Sequence, residues 1–315
     1  ILIEETMDTV ELPKEHSLVK DSHLGYENYK NFLDSINDVD FSQFNLVIDS
    51  ANGAAFKIIK DIIPGKDNST SFIANEPNGV NINQDSGATD TSNLINIMKD
   101  GQLGISFDGD ADRLIMIDEN RQVANGDVII ALLATYLSEI KKLDNESVVS
   151  TVMSNYGFKL AMKNNNFNLI ETPVGDKYVA EAMKKYEAVL GGEQSGHIIF
   201  SEYLPVGDGL VTFLLVLKAL NYFDTTLANF RKENIQEYPQ KLINIELEET
   251  LNEEELEFIN QIAFELSNKK NLDGRYLIRN SGTEPLLRVL VEAKNSEEME
   301  IFLEELLIKI NGYLN

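Results

Sequence analysis

The chain has 315 residues and a formal net charge of −25, from 52 acidic against 27 basic side chains, which argues against nucleic acid or an anionic membrane as its main partner. With 43% hydrophobic and 25% charged residues it has an ordinary globular composition, and its length exceeds what one hydrophobic core usually serves. It has no cysteine, so disulfide and thiolate chemistry are excluded and a reducing, cytoplasmic compartment is expected; its longest apolar runs, 128–137 and 210–217, fall short of the about 20 residues that span a bilayer.

The first 43 residues read as an acidic lead-in with one helix, YENYKNFLDSI. The opening ILIEETMDTVEL lacks a signal-peptide pattern and begins on Ile1 rather than Met, as expected of a piece of a longer chain. NLVIDS then predicts a strand, and GAAFKIIKDII, with apolar residues at helical spacing before Pro64, predicts a helix. TSFIA (strand), TSNLINIMKD (helix) and LGISF (strand) continue the βαβ order of a parallel sheet. After LIMID a second α/β run follows: helix DVIIALLATYLSEIKK, strand SVVSTVM, helix YGFKLAMKNN, strand FNLIET, helix DKYVAEAMKKY, strands AVL and HIIF, and helix GLVTFLLVLKAL. The polar segment RKENIQEYPQ marks a linker near 231–238. Beyond it, strand KLINIELE, helix EEELEFINQIAFELS, strands RYLIR and LLRVLVEA and a final helix from Ser296 form a small α+β unit.

Three loops carry candidate chemistry. GISFDGDADRLIMID places Asp108, Asp110 and Asp112 at alternate positions beside Arg113, after a strand's C-terminal end, where open α/β sheets bind ligands. Hard oxygen ligands in that pattern suit Mg²⁺ or Ca²⁺. An EF-hand fits Asp108, Asp110, Asp112 and Glu119 but fails where Arg113 replaces the required glycine and where the flanks read as strands. An aspartyl-phosphate phosphatase, with Asp108 as nucleophile and Asp110 as acid/base, and a solvated acidic turn remain as alternatives.

LGGEQSGHIIF joins two apolar runs. It is either a plain hairpin loop or a site where glycines let the backbone approach a ligand while Glu193 and Ser195 bind hydroxyls or an amine; His197 suits packing, or support of a ligand-binding group, better than ligation itself. RNSGTEPLLRV offers hydroxyls and N–H groups from Ser281, Gly282 and Thr283 between Arg279 and Arg288, an anion-binding pattern; a capping box from Ser281 to Glu284 is the competing reading, weakened by the strand-like LLRVLVEA.

In this order and spacing the three loops resemble those of the α-D-phosphohexomutase superfamily, over nearly the whole chain; EPNGVNIN, STVMSN and TPVGDKYV strengthen the resemblance. It implies two consecutive α/β phosphohexomutase-type domains followed by a small α+β C-terminal domain, at 1–119 (metal loop), 120–232 (sugar loop) and 233–315 (phosphate loop). It further implies Mg²⁺ on Asp108, Asp110 and Asp112, Arg113 and Lys177 as catalytic residues, and Glu193, Ser195, His197, Arg279, Ser281, Gly282, Thr283 and Arg288 as substrate-binding residues. Lys177 stands where the family commonly has Arg, and Asn280 where it commonly has Pro. The implied activity is intramolecular phosphoryl transfer on a phosphorylated amino sugar through a bisphosphate, with no nucleic-acid or membrane partner, in a chain compatible with a homodimer. The family's first domain carries a phosphoserine in a T-A-S-H-N-P loop, and no such string occurs in these 315 residues. The expectation is therefore domains two to four of a four-domain enzyme, inactive alone. A non-catalytic phosphosugar-binding protein and a Mg²⁺-dependent sugar phosphatase are the alternatives.

Overall fold

The computed structural model describes residues 23–63, 69–281 and 284–314. Pro64 and the lead-in before His23 lie outside the described residues. Helix α1 (His23–Ile36) precedes β1 (Leu46–Asp49), a strand buried along its whole length. Helix α2 (Ala55–Ile62) buries Ala55, Ile58, Ile59 and Ile62, the single stripe that spacings of three and four residues produce. After β2 (Thr70–Ile73), α3 (Ser92–Ile97) and β3 (Leu103–Phe107) come β4 (Leu114–Ile117) and β5 (Val123–Ala124). The sheet order is β2-β1-β3-β4-β5: β1 runs parallel to β2 and β3, whereas β4 and β5 add on antiparallel. The expected parallel sheet is thus mixed. Residues 108–113 are too few for the dozen-residue crossover that a parallel neighbour needs, so β3 must turn back on itself.

The second sheet repeats this plan. Helix α4 (Gly126–Glu139), capped by the Asn125 side chain, leads to β6 (Ser147–Thr151), α5 (Tyr156–Asn164), β7 (Asn168–Thr172), α6 (Asp176–Tyr186), β8 (Leu190–Gly192) and β9 (Ile198–Phe200), then α7 (Gly209–Phe223) and α8 (Leu227–Asn234). The order is β7-β6-β8-β9, parallel except for the β8–β9 hairpin. Strand β8 lies two residues later than AVL suggested, because Gly191 and Gly192 pair with Ile199 and Ile198. Helix α8 occupies the first part of the segment expected to be a linker. Of the sequence-based divisions, 119/120 falls between β4 and β5 of one sheet and 232/233 falls inside α8.

Helices α4 and α7 are apolar on nearly all sides because they are the shared interior. One continuous core runs from Leu33 through Phe107, Leu132 and Phe213 to Ile235, joining both sheets. Among the described residues no single helix is long and apolar enough to cross a membrane. The last unit comprises β10 (Gln240–Glu246), α9 (Glu253–Lys270), β11 (Gly274–Asn280), β12 (Leu286–Ala293) and α10 (Ser296–Leu314), with antiparallel sheet order β10-β12-β11. Its core of Ile259, Leu266, Ile278, Val289, Val291 and Phe302 is separate from the first. Side chains alternate along a strand, so Arg275, Arg279, Arg288 and Glu292 share the opposite sheet face.

Candidate functional site

The turn between β3 and β4 is built by its neighbours. The Ala54 N–H donates to the Gly109 carbonyl at 2.8 Å, Gly209 N–H to the Ala111 carbonyl at 2.9 Å, and Arg113 N–H to Asp108 Oδ1 at 3.1 Å. Gly53 packs so tightly on Gly109 that a Cβ there would lie 2.2 Å from its carbonyl oxygen. Within this frame Asp108, Asp110 and Asp112 each bring one carboxylate oxygen within 4.8 Å of the others. Asp108 is buried, and burial pushes its carboxyl up to about 6; the Arg113 N–H pulls it down, while Asp112 and Asp110 push it further up. Arg113 Nε sits 3.6 Å from Asp108 Oδ2 and 3.7 Å from Asp112 Oδ1, yet Arg113 Nε and Asp112 Oδ1 are buried without a hydrogen-bond partner. Three hard oxygens, one buried acceptor left unsatisfied and mutual repulsion fit a divalent cation of the Mg²⁺ type, and the flanking strands confirm that this is no EF-hand.

The loop between β8 and β9 meets this turn directly. The Leu114 N–H donates to the Gly196 carbonyl at 3.0 Å. Gly196 sits at φ 91°, and a Cβ on it would lie 2.3 Å from the Leu114 oxygen, so glycine is required there. His197, expected with the substrate-binding set, is buried against Gly207 and places Nδ1 3.2 Å from Asp112 Oδ2, a position that orients a metal-loop carboxylate. Glu193 Oε1 accepts from Gly175 N–H at 2.9 Å, and its Oε2 lies 3.4 Å from the exposed Ser195 Oγ. Glu193 thereby fixes the start of α6, whose Lys177 is exposed and has its N–H on Asp176 Oδ1.

The candidate anion loop connects β11 to β12. Arg279 and Arg288 face each other across the strands, and among the described residues neither forms an ion pair. Burial, and then Arg288, hold the Arg279 guanidinium below its usual value. Ser281 is buried with Oγ unpartnered, and Arg288 Nε is likewise unpartnered. Two uncompensated guanidiniums beside an unsatisfied hydroxyl form an acceptor-seeking cluster suited to a phosphate. Gly282 and Thr283 lie outside the described residues. No helix opens at Ser281: β12 begins at Leu286, which removes the capping-box reading.

Residues that the motifs did not single out tie these loops together. Asp127 Oδ2 accepts from Gln194 Nε2 at 3.2 Å and from Asn155 N–H at 2.7 Å, and burial is the main cause that pushes its carboxyl up to about 6. Asn155 in turn reaches Glu292 on β12, which pairs with Arg275 on β11. Asn155 ends the stretch STVMSN; Asp127, Arg275 and Glu292 carry no local signal beyond the helix start at Asn125-Gly126-Asp127.

Residues 125–238 match phosphoglucomutase/phosphomannomutase, alpha/beta/alpha domain III, and residues 242–309 match the C-terminal domain of the same family. The chain is 39% identical over 303 residues to the phosphoglucosamine mutase of Bacillus subtilis (strain 168), covering 94% of this chain and 67% of that protein. It is 38% identical over 306 residues to that of Lactococcus lactis subsp. cremoris (strain SK11), covering 95% and 68%. It spans about two thirds of the length of these curated relatives. Among solved structures, one of Aspergillus fumigatus N-acetylphosphoglucosamine mutase aligns with TM-score 0.76 at 20% identity, over 92% of this chain and 64% of that one. Another of that enzyme, in complex with GlcNAc-6P and magnesium, aligns with TM-score 0.72 at 20% identity, over 89% and 67%. With both matched domains in register and relatives of this identity along nearly its full length, the chain belongs to the phosphoglucomutase/phosphomannomutase family of α-D-phosphohexomutases.

Proposed function

We propose that these residues form the metal, sugar and phosphate loops of a phosphoglucosamine mutase, which interconverts glucosamine 6-phosphate and glucosamine 1-phosphate through a 1,6-bisphosphate. The observation that carries the reading is the fusion of two loops: Leu114 N–H on the Gly196 carbonyl, and His197 on Asp112, join a divalent-cation site to a hydroxyl-binding loop, as phosphoryl transfer on a sugar requires. Relatives at 38–39% identity that carry this name support the choice of sugar.

Asp108, Asp110 and Asp112 would hold Mg²⁺, which supplies charge neutralisation of a phosphoryl group when bound. Arg113 adds a guanidinium to the same phosphoryl oxygens. Glu193 and Ser195 orient the ring hydroxyls or amine, and Lys177 lines the cleft from α6. Arg279, Ser281 and Arg288, with Gly282 and Thr283, grip the phosphate that does not react. Rate acceleration then comes from positioning and electrostatic stabilisation. No T-A-S-H-N-P string occurs in these 315 residues, which is the ground for expecting substrate binding without turnover from them alone.

Calorimetry on the 315-residue chain tests the reading. Glucosamine 6-phosphate should bind, and Arg288→Ala should weaken it by about ten- to a hundredfold, the loss of one charge-assisted hydrogen bond of roughly 1.5–3 kcal/mol. Equal affinity in both proteins rejects the phosphate loop. Mg²⁺ should occupy one site, lost in Asp110→Ala. Release of inorganic phosphate would mark a phosphatase instead, and sustained conversion would place the phosphoryl carrier within this chain.

A further inference from the structure

The body that carries the metal and sugar loops and the unit that carries the phosphate arginines have separate apolar cores; at the junction the Tyr156 and Tyr238 rings meet edge-on with centroids 5.1 Å apart, and polar contacts join the two beside them. Those contacts form one continuous path. From Gln194 in the sugar loop it passes through Asp127 to Asn155, whose Nδ2 lies 2.9 Å from the Tyr238 carbonyl, 3.2 Å from Gln240 Oε1 and 3.1 Å from Glu292 Oε1. Glu292 is fully buried and also accepts from Tyr156 N–H at 3.3 Å. Its other oxygen takes Arg275 Nε, while Arg275 Nη1 and Nη2 donate to the Val152 and Ser154 carbonyls at 2.8 and 2.6 Å. The segment that leads into the unit is held equally close, since a Cβ on Gly157 would lie 1.8 Å from the oxygen of Gln236 in the connection between α8 and β10.

Arg275 pairs with Glu292 across β11 and β12, and four residues along the same strands Arg279 pairs with Arg288. An even offset keeps both pairs on one sheet face, about 13 Å apart at roughly 3.3 Å per residue. Strands joined by a full ladder move as one body, so whatever holds the first pair places the second.

We propose that Asn155, Glu292 and Arg275 form a positioning latch that sets the separation between the sugar loop and the Arg279–Arg288 pair, and so selects a ligand whose hydroxyls and phosphate lie at that separation. The proposal rests on the site reading above. Rotation of the unit would strip a buried carboxylate and guanidinium of their partners, which is why the polar cluster holds one angle where a greasy contact would slide.

Two probes separate the latch from general structure. Inorganic phosphate needs only the arginine pair, whereas glucosamine 6-phosphate needs both loops. In NMR titrations of the full chain, Glu292→Gln and Arg275→Lys should each keep inorganic phosphate within about twofold of the unaltered protein and lose about tenfold or more on glucosamine 6-phosphate. If Glu292→Gln does not fold, Arg275→Lys, which keeps the charge beside Glu292 but not the fork to two carbonyls, decides alone. Equal losses on both probes, or no loss on either, overturn the latch while leaving the site reading intact. An unaltered chain that binds neither probe overturns the site reading and the latch with it.

Discussion

Residues 23–235 bring the Asp108–Arg113 turn and the Glu193–His197 loop together inside one continuous core, whereas residues 240–314 hold Arg279 and Arg288 on a sheet with a core of its own. In the first region the loops meet backbone to backbone, as at Leu114 N–H and the Gly196 carbonyl, or Gly126 N–H and the Gln194 carbonyl at 2.9 Å. In the second, side-chain hydrogen bonds through Asn155, Glu292 and Arg275, beside the edge-on Tyr156–Tyr238 ring contact, make the connection. The first arrangement makes a relative position as stable as the fold itself. The second makes it depend on a few directional bonds, and so the two regions should respond separately to perturbation.

The largest expected effect tests that separation. Phe302 is 1% exposed in the smaller core, and Phe302→Ala should remove about 3–5 kcal/mol from the unfolding of residues 240–314 while the transition of the larger body keeps its midpoint. Calorimetric scanning would show this as one shifted transition of two. A single transition shifted as a whole would mean that the two cores unfold together.

Next comes pH. The Asp127 carboxyl is raised from its ordinary 3.8 to about 6, so between these values the folded state binds more protons than the unfolded one, and stability falls as pH rises toward 6. Above pH 6 the full cost, roughly 3 kcal/mol at most for a shift of about 2 units, is present. Asp127→Asn should therefore gain on the unaltered protein between pH 4 and pH 7, in the transition of the larger body. A pH-independent difference would remove Asp127 as the titrating group.

Smaller effects mark each region. Asn252 and Glu255 form a reciprocal cap on α9, and Asn252→Ala should cost about 1 kcal/mol, confined to the smaller unit's transition in urea. Lys30 and Asp34, one turn apart on the solvent side of α1, form an ion pair whose loss in Lys30→Ala should leave the larger body's transition nearly where it was. Either change appearing in the other transition would merge the two regions.

Much of this architecture was legible in the residue pattern. The buried run Leu46–Asp49 and the stripe on Ala55–Ile62 follow from side-chain period alone, and the alternation of such segments predicts layered α/β units. The three loops were legible because each concentrates its chemistry within a few residues: alternate aspartates at 108–112, Glu193 and Ser195 among glycines, and arginines flanking Ser281. The antiparallel return of β4 was legible only in the shortness of the 108–113 connection, and the displacement of β8 onto Gly191 and Gly192 not at all, since pairing with β6 and β9 sets it.

By itself, then, the sequence determined what rests on neighbours along the chain: most element types, a set of three carboxylates able to take a divalent cation, and arginines flanking Ser281 in an otherwise acidic protein. Tertiary structure decided which of these groups meet. Only folding turns His197 toward Asp112, 85 positions earlier, and only folding carries Asn155 to Glu292, 137 positions away. Burial is the physical reason: a carboxylate such as Glu292 or Asp127 is indistinguishable in the sequence from the many that face water, and it becomes a connector only where the removal of water makes each remaining hydrogen bond obligatory.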